Sequence, residues 1–163
     1  MILGVVSDTH NRLINVEKII DLFNERKVGK VIHTGDITQA KTLSKFSRLN
    51  CPLYGVYGNN DLQEAGLKEI TEKNGFKFQE PPFLVKLGGR KIVILHEPEN
   101  IEKIISQERS IDLIVHGHTH RYRYEELKGV KIFNPGESAG MFKGKNAIGL
   151  VDLSNLNTKR IFF

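Results

Sequence analysis

Short apolar runs alternate with amphipathic stretches in the first half of the chain. Met1–Val6 is apolar almost throughout, which is typical of a strand buried on both faces. Leu13–Arg26 carries apolar residues at helical spacing, and Lys30–Thr34 is again apolar after Gly29. The pattern predicts a β-α-β unit whose two strands lie parallel through a right-handed crossover.

The same patterns predict the remaining elements. Three more helices are expected, over Ala40–Leu49, Gly66–Asn74 and Asn100–Gln107. The further strands predicted are Leu53–Tyr57, Phe76–Phe78, Phe83–Leu87, Lys91–Leu95, Ile111–Val115, Tyr122–Leu127, Val130–Phe133, Ala147–Leu153 and Lys159–Phe163.

The order of these elements predicts a fold of the α/β class. Turn residues at Gly88-Gly89, Lys128-Gly129 and Asn155-Leu156-Asn157 indicate hairpins, so the second half is expected to consist mainly of hairpins. We expect one domain over residues 1–163, with two mixed sheets packed face to face and helices outside.

Five of the predicted strands lead into side chains that commonly bind metals. Ligands of α/β proteins are bound outside the carboxyl ends of strands, so five such ends in one small chain indicate a shared site. The candidate ligands, in chain order, are Asp8, His10, Asp36, Asn59, His96, His118 and His120.

This ligand set predicts two metal ions rather than one. Two carboxylates, one amide and four imidazoles exceed the four ligands of a tetrahedral ion. A carboxylate can bridge two ions, and Asp36 lies between the other candidates in the chain. Oxygen and imidazole ligands without thiolates suit divalent first-row metals, with Mn²⁺ or Ni²⁺ expected ahead of Fe, Zn²⁺ or Mg²⁺. Two ions ~3.5–4 Å apart would clamp a phosphate and hold a bridging hydroxide for in-line attack on phosphorus.

The ordered blocks resemble the signature of the calcineurin-like metallophosphoesterases. The matching residues are Asp8-x-His10, Gly35-Asp36, Gly58-Asn59-x-Asp61, His96 and Gly117-His118-x-His120. Asn134-Pro135-Gly136 and the short chain resemble the YfcE-like phosphodiesterase subfamily in particular.

The resemblance implies two stacked mixed sheets flanked by helices, an α/β/β/α sandwich, and a metal-dependent phosphodiesterase. It also implies two ligand sets that share Asp36. One set is Asp8, His10, Asp36 and His120; the other is Asp36, Asn59, His96 and His118.

Two positions depart from the family pattern. Asn60 stands where the family commonly has a histidine that protonates the leaving group, and an amide has no proton to give at neutral pH. We therefore expect diesters and activated aryl esters to be hydrolysed better than monoesters with poor leaving groups. Glu97-Pro98 follows His96 where the subfamily usually has Gly-His, which changes one wall of the site.

The candidate catalytic residues are Asn60, Asp61 and His120. The resemblance gives Asp61 the task of orienting the family histidine; with Asn60 in its place, Asp61 would serve only the loop. His33 and His116 are interpreted as structural, and Glu137 receives no role.

Composition narrows the setting of the protein. The 163 residues carry a net charge of +5, with basic residues interleaved among acids, which favours a solvated surface over a dedicated nucleic-acid face. No apolar run approaches the ~18–20 residues that span a membrane, so no membrane partner is expected. Cys51 is the only cysteine, so an internal disulfide is impossible and a cytoplasmic location is expected.

The expected partner is a small phosphodiester substrate, and the sequence excludes neither nucleic acid nor a homo-oligomer. The alternatives to a phosphodiesterase are a phosphomonoesterase or nuclease of the same superfamily, and a metal-binding interaction scaffold that resembles the small subunit of retromer. All seven ligand positions hold competent residues, which favours an enzyme.

Overall fold

Eleven strands and four α-helices form two stacked sheets with helices on both outer faces. The computed structural model describes residues 1–163. The strands are β1 Ile2–Val6, β2 Lys30–His33, β3 Leu53–Val56, β4 Lys77–Gln79, β5 Phe83–Leu87, β6 Arg90–Ile94, β7 Leu113–Val115, β8 Arg123–Leu127, β9 Val130–Asn134, β10 Ala147–Asp152 and β11 Thr158–Phe162. The helices are α1 Leu13–Glu25, α2 Ala40–Lys45, α3 Leu67–Lys73 and α4 Ile101–Gln107. This arrangement confirms the predicted α/β fold.

The first sheet has the strand order β11-β10-β1-β2-β3-β4. Strands β1 to β4 are parallel, as predicted for the β-α-β unit, and β10 runs antiparallel to β1. The single helix expected over Ala40–Leu49 is α-helical only to Lys45 and continues as a 3-10 turn over Phe46–Arg48.

The second sheet has the order β5-β6-β7-β9-β8. Its central strands β6, β7 and β9 are parallel, and α4 connects β6 to β7. The expectation of a second half made mainly of hairpins was therefore incomplete: β5-β6, β8-β9 and β10-β11 are hairpins, but they flank a parallel core or return to the first sheet.

The apolar runs of the central strands are continuous because both faces of each sheet are covered. Leu3 and Ile32 pack inward against Leu113 of the second sheet. Val6 and Val31 of the same two strands pack outward against α1. On the far side, Ile101 of α4 covers Ile114 and further residues of the second sheet.

Parallel pairing brings the ends of the key strands to one edge. In the first sheet, Val6 at the end of β1 pairs with His33 of β2, which pairs with Gly55 of β3. In the second sheet, Ile94 of β6 pairs with Val115 of β7. The loops that carry the candidate ligands therefore start side by side.

None of the helices combines the length and the hydrophobicity that crossing a membrane requires.

Replacing Ile32 by alanine is expected to lower the free energy of unfolding by about 2–5 kcal/mol, because the side chain is fully buried between the sheets. Urea denaturation would measure the change. Ile14→Ala is the matched control, since Ile14 is 83% exposed and its truncation should change stability by less than about 0.5 kcal/mol. Equal losses in the two variants would contradict the assigned layers.

Candidate metal centre

All seven candidate ligands lie in loops at the shared edge of the two sheets. Two clusters have ligand atoms that lie within 4.8 Å of one another: Asp8 with His10 and His120, and Asp8 with Asp36 and His96. Asp8, Asp36 and His96 are buried, whereas the imidazoles of His10 and His120 are partly exposed. The centre therefore has a buried acidic floor and an imidazole rim open to solvent.

A triangle of three donor atoms completes the second cluster. His96 Nε2 lies 2.9 Å from Asn59 Oδ1, and His118 Nδ1 lies 3.1 Å from the same oxygen. The two imidazole nitrogens are 3.3 Å apart. Three atoms with lone pairs that converge in this way are suited to a cation placed between them.

The two carboxylates are held differently. Asp36 faces both clusters: Oδ1 lies 3.5 Å from His96 Nε2, and Oδ2 lies 3.8 Å from His10 Nε2. Asp8 Oδ2 accepts hydrogen bonds from the Ser7 hydroxyl and the His118 backbone N–H. That leaves Asp8 Oδ1 without a hydrogen bond, 3.5 Å from His120 Nε2.

The buried carboxylates of the centre have no buried lysine or arginine as a counter-charge. Four carboxylates are buried here, and no lysine or arginine is buried anywhere in the chain; the four are Asp8, Asp36, Asp61 and Glu137. Burial raises the pKa of Asp8 because the charged form loses its hydration. Asp8 Oδ1, His10 Nε2 and His120 Nδ1 are buried atoms without a partner. Of these atoms, Asp8 Oδ1 and His10 Nε2 belong to one ligand cluster, and such unpaired donors fit a divalent cation.

The backbone is strained at the same residues. Five of the seven candidate ligands have positive φ values, between 41° and 65°, in the left-handed region that non-glycine residues rarely adopt. The five are Asp8, His10, Asp36, His118 and His120. Each such residue costs about 1–2 kcal/mol, and strain of this kind concentrates at functional sites.

Two glycines allow the loops to approach closely. A Cβ atom on Gly58 would lie 2.2 Å from Asp36 Oδ1, and one on Gly117 would lie 2.0 Å from Ser7 Oγ. A side chain at either position would displace a carboxylate or the hydroxyl that holds one.

Asp61 connects two of the loops. Its Oδ1 accepts the backbone N–H groups of Ile37 and Thr38 at 2.9 and 2.6 Å, and its Oδ2 accepts that of Gly58 at 2.8 Å. All three bonds come from backbone groups, in keeping with the expectation that Asp61 serves the loop. Burial raises the pKa of Asp61, and the three bonds lower it in part.

Asn60 is exposed and reaches the floor of the centre. Its side-chain amide donates to Asp36 Oδ2 at 2.8 Å, and its backbone N–H donates to Asp36 Oδ1 at 3.0 Å. The position that lacks the family histidine therefore still contacts the central carboxylate.

His33 and His116 lie outside both clusters, in keeping with their interpretation as structural residues. His33 Nδ1 accepts the Gly35 N–H at 3.1 Å, so its Nε2 carries the proton and faces Thr9 Oγ1 at 3.0 Å. Burial lowers the pKa of His33 to about 3 and that of His116 to about 4. Neutral His33 thus joins the loop of Asp8 to the loop of Asp36.

Glu137 is the residue whose position the sequence did not explain. It is 1% exposed, and it accepts the backbone N–H groups of Met141 and Phe142 at 3.1 and 2.7 Å. Its Oε2 lies 3.9 Å from His120 Nδ1, the side of that ring turned away from Asp8. One indication was present in the sequence, because Glu137 is an acidic residue that directly follows a strand end and Pro135-Gly136. Its position beside His120 is visible only in the fold. Arg12, two residues after His10, is exposed.

Comparison with known proteins finds relatives in both sequence and fold. Residues 1–156 match the calcineurin-like phosphoesterase superfamily domain. The chain is 32% identical to phosphodiesterase MJ0936 of Methanocaldococcus jannaschii, over 99% of this chain and 98% of that protein. It superposes on the structure of an archaeal phosphodiesterase with a TM-score of 0.90, at 32% identity and full coverage of both chains.

More distant structures share the fold. The YfcE phosphoesterase of E. coli superposes with a TM-score of 0.72 at 20% identity, over 99% of this chain and 98% of that one. Zinc-bound Vps29 of Entamoeba histolytica superposes with a TM-score of 0.70 at 18% identity, over 99% of both chains.

The neutral His33 should make stability depend on pH. Because its folded pKa is about 3 and its unfolded pKa is about 6.5, only the unfolded state takes up a proton between these values. The free energy of unfolding should fall as pH drops from about 6.5 towards 3, by up to about 1.4 kcal/mol per pH unit from this residue. Denaturation of metal-stripped wild type and His33→Gln across this range would measure the difference, and parallel curves would contradict it.

Proposed function

The chain belongs to the calcineurin-like phosphoesterase superfamily, and from this membership and its site we propose that it is a dinuclear metal-dependent phosphodiesterase. The observation that carries the proposal is the convergence of all seven candidate ligands at one edge of the sheets, where Asp8 belongs to both clusters and Asp36 faces His10 and His96. The relative at 32% identity that is named a phosphodiesterase supports the reaction class.

The proposed ligand sets are those that the family resemblance implies, and the distances are compatible with them. One ion would be held by Asp8, His10, Asp36 and His120, and the other by Asp36, Asn59, His96 and His118. Asp8 also lies within reach of both clusters. Each oxygen of Asp36 faces a different imidazole, Oδ1 towards His96 and Oδ2 towards His10, which fits the bridging position that the resemblance implies.

The buried charge supports two ions. Asp8 and Asp36, the two carboxylates among the candidate ligands, are buried without a lysine or arginine beside them, so bound cations would offset their negative charge. When bound, the ions would supply an activated water and neutralise the charge of the phosphoryl oxygens. Oxygen and imidazole donors suit Mn²⁺ or Ni²⁺ and also admit Fe, Zn²⁺ or Mg²⁺. A chain with a single cysteine also suits the reducing cytoplasm, which we propose as its location.

The protein's own groups set the substrate preference. The exposed Asn60 amide can donate a hydrogen bond to a phosphate oxygen but cannot protonate a leaving group. His120 turns Nε2 towards Asp8 and Nδ1 towards Glu137, at 3.5 and 3.9 Å, and its Nδ1 makes no hydrogen bond. A leaving group that departs without protonation, such as an aryloxide, is therefore favoured, and small diesters are the proposed substrate class.

The proposal predicts metal-dependent hydrolysis of bis-p-nitrophenyl phosphate in preference to p-nitrophenyl phosphate. Metal-stripped protein should be inactive, and Mn²⁺ or Ni²⁺ should restore turnover. Asp36→Asn should lower kcat/KM by about 10³-fold or more, since the bridge supports several kcal/mol of transition-state stabilisation.

Asp21→Asn is the matched control, because Asp21 is an exposed residue paired with Arg48. It should keep wild-type rates. Full activity of Asp36→Asn would overturn the ligand assignment, and a preference for the monoester would overturn the account of Asn60.

Asn60→His tests the missing acid directly. A histidine at this exposed position could protonate a poor leaving group, so kcat/KM for phenyl phosphate should rise by about 10²-fold. The rate for p-nitrophenyl esters should change little, because that leaving group needs no protonation. The kcat/KM values of wild type and variant on the two monoesters would be compared, and an equal change for both would rule out an acid role.

A further inference from the structure

A cavity of about 460 Å³ opens directly beside the second ligand cluster. Asn59 and His96 form the end of the cavity that adjoins the metal centre. A group attached to a phosphoryl held at the centre would extend into this space. The volume lies within the ~300–1,000 Å³ usual for small-molecule sites.

One wall of the cavity is a single face of α4. Asn100, Lys103, Ile104 and Gln107 all line it, at the spacing i, i+3, i+4 and i+7 that places residues on one side of a helix. Ile101 faces the other way and packs into the core of the second sheet. The helix therefore presents two amides, one ammonium group and one apolar side chain to the cavity.

A further part of the cavity lining is apolar although it is open to solvent. Leu62, next to Asp61, is 63% exposed, and it lines the cavity together with Pro81 and Pro82. An exposed leucine beside a polar centre has no packing partner that explains it. Together with Ile104, which also packs against the core of the second sheet, these residues give the cavity an apolar surface that suits a flat apolar group.

The charges of the cavity select against a polyanion. Glu80 and Glu97 carry two negative charges, and Lys103 carries the only positive one. A second phosphate placed here would meet net negative charge. The amides of Asn100 and Gln107 offer both donors and acceptors, which can pair with the edges of an uncharged heterocycle.

We propose that this cavity binds the nucleoside of a mononucleotide ester, with the base between Leu62 and Ile104 and its polar edge against the amides of α4. The proposal rests on the proposed phosphodiesterase function and names its substrate class. A mononucleoside diester fits this cavity better than a polynucleotide, whose next phosphate would lie near Glu80 and Glu97.

Two esters with the same leaving group test the proposal: thymidine 5′-(p-nitrophenyl phosphate) and methyl p-nitrophenyl phosphate. The wild-type KM for the thymidine ester should be about tenfold lower or more. Ile104→Trp, which fills the cavity, should reduce the selectivity ratio of the two kcat/KM values about tenfold. Ser106→Trp is the control on the same helix, since Ser106 is exposed and does not line the cavity, and it should keep the wild-type ratio.

Equal wild-type KM values for the two esters would overturn the proposal, as would equal losses in both tryptophan variants. Preferred cleavage of oligothymidylate over the mononucleoside ester would instead assign the cavity to a polynucleotide.

Binding separates this inference from the proposed function. Thymidine 5′-monophosphate should shift the side-chain amide signals of Asn100 and Gln107 in the NMR spectrum of wild type and Ser106→Trp, but not of Ile104→Trp. If neither ester is hydrolysed, the proposed function fails, but these shifts still show whether the cavity binds a nucleoside. Unchanged amide signals in wild type would overturn the nucleoside assignment.

Discussion

The architecture of the centre depends on the burial of negative charge without a basic residue to balance it. Asp8, Asp36, Asp61 and Glu137 are each almost fully buried, and no lysine or arginine joins them. Asp61 and Glu137 are stabilised by backbone N–H groups, but one oxygen of Asp8 has no partner at all. A buried carboxylate is costly unless it is paired or binds a metal. Divalent cations held by the candidate ligands would offset this negative charge.

The two sheets make such a centre possible because parallel pairing ends several strands at one edge. The loops beyond that edge adopt left-handed backbone at five of the seven candidate ligands, so other contacts must hold them there. Asp61 joins the loops of Gly58 and Asp36, and His33 joins those of Asp8 and Asp36. These loops are short and start from rigid strands, so the contacts of Asp61 and His33 hold the candidate ligands in position.

Most of the fold could be predicted from local pattern, because strands covered on both faces are apolar throughout and α1 has a helical apolar stripe. The return of β10 to β1 and the parallel pairing of β7 with β9 could not, since both join segments far apart in the chain. The seven candidate ligands were found because each follows a strand. The bonds of Asp61, the place of Glu137 beside His120 and the left-handed backbone depend on how loops meet in space, and no local residue pattern encodes them.

The number of divalent ions bound per chain tests this account most directly. Native mass spectrometry of metal-stripped protein titrated with Mn²⁺, compared with Asp36→Asn, would count them. The account predicts two ions per wild-type chain, because the candidate ligands form two clusters and Asp36 faces an imidazole of each. It predicts weakened binding of both ions in the variant. A wild-type chain that saturates with one ion, or a variant that still binds two with unchanged affinity, would contradict a shared carboxylate at the centre.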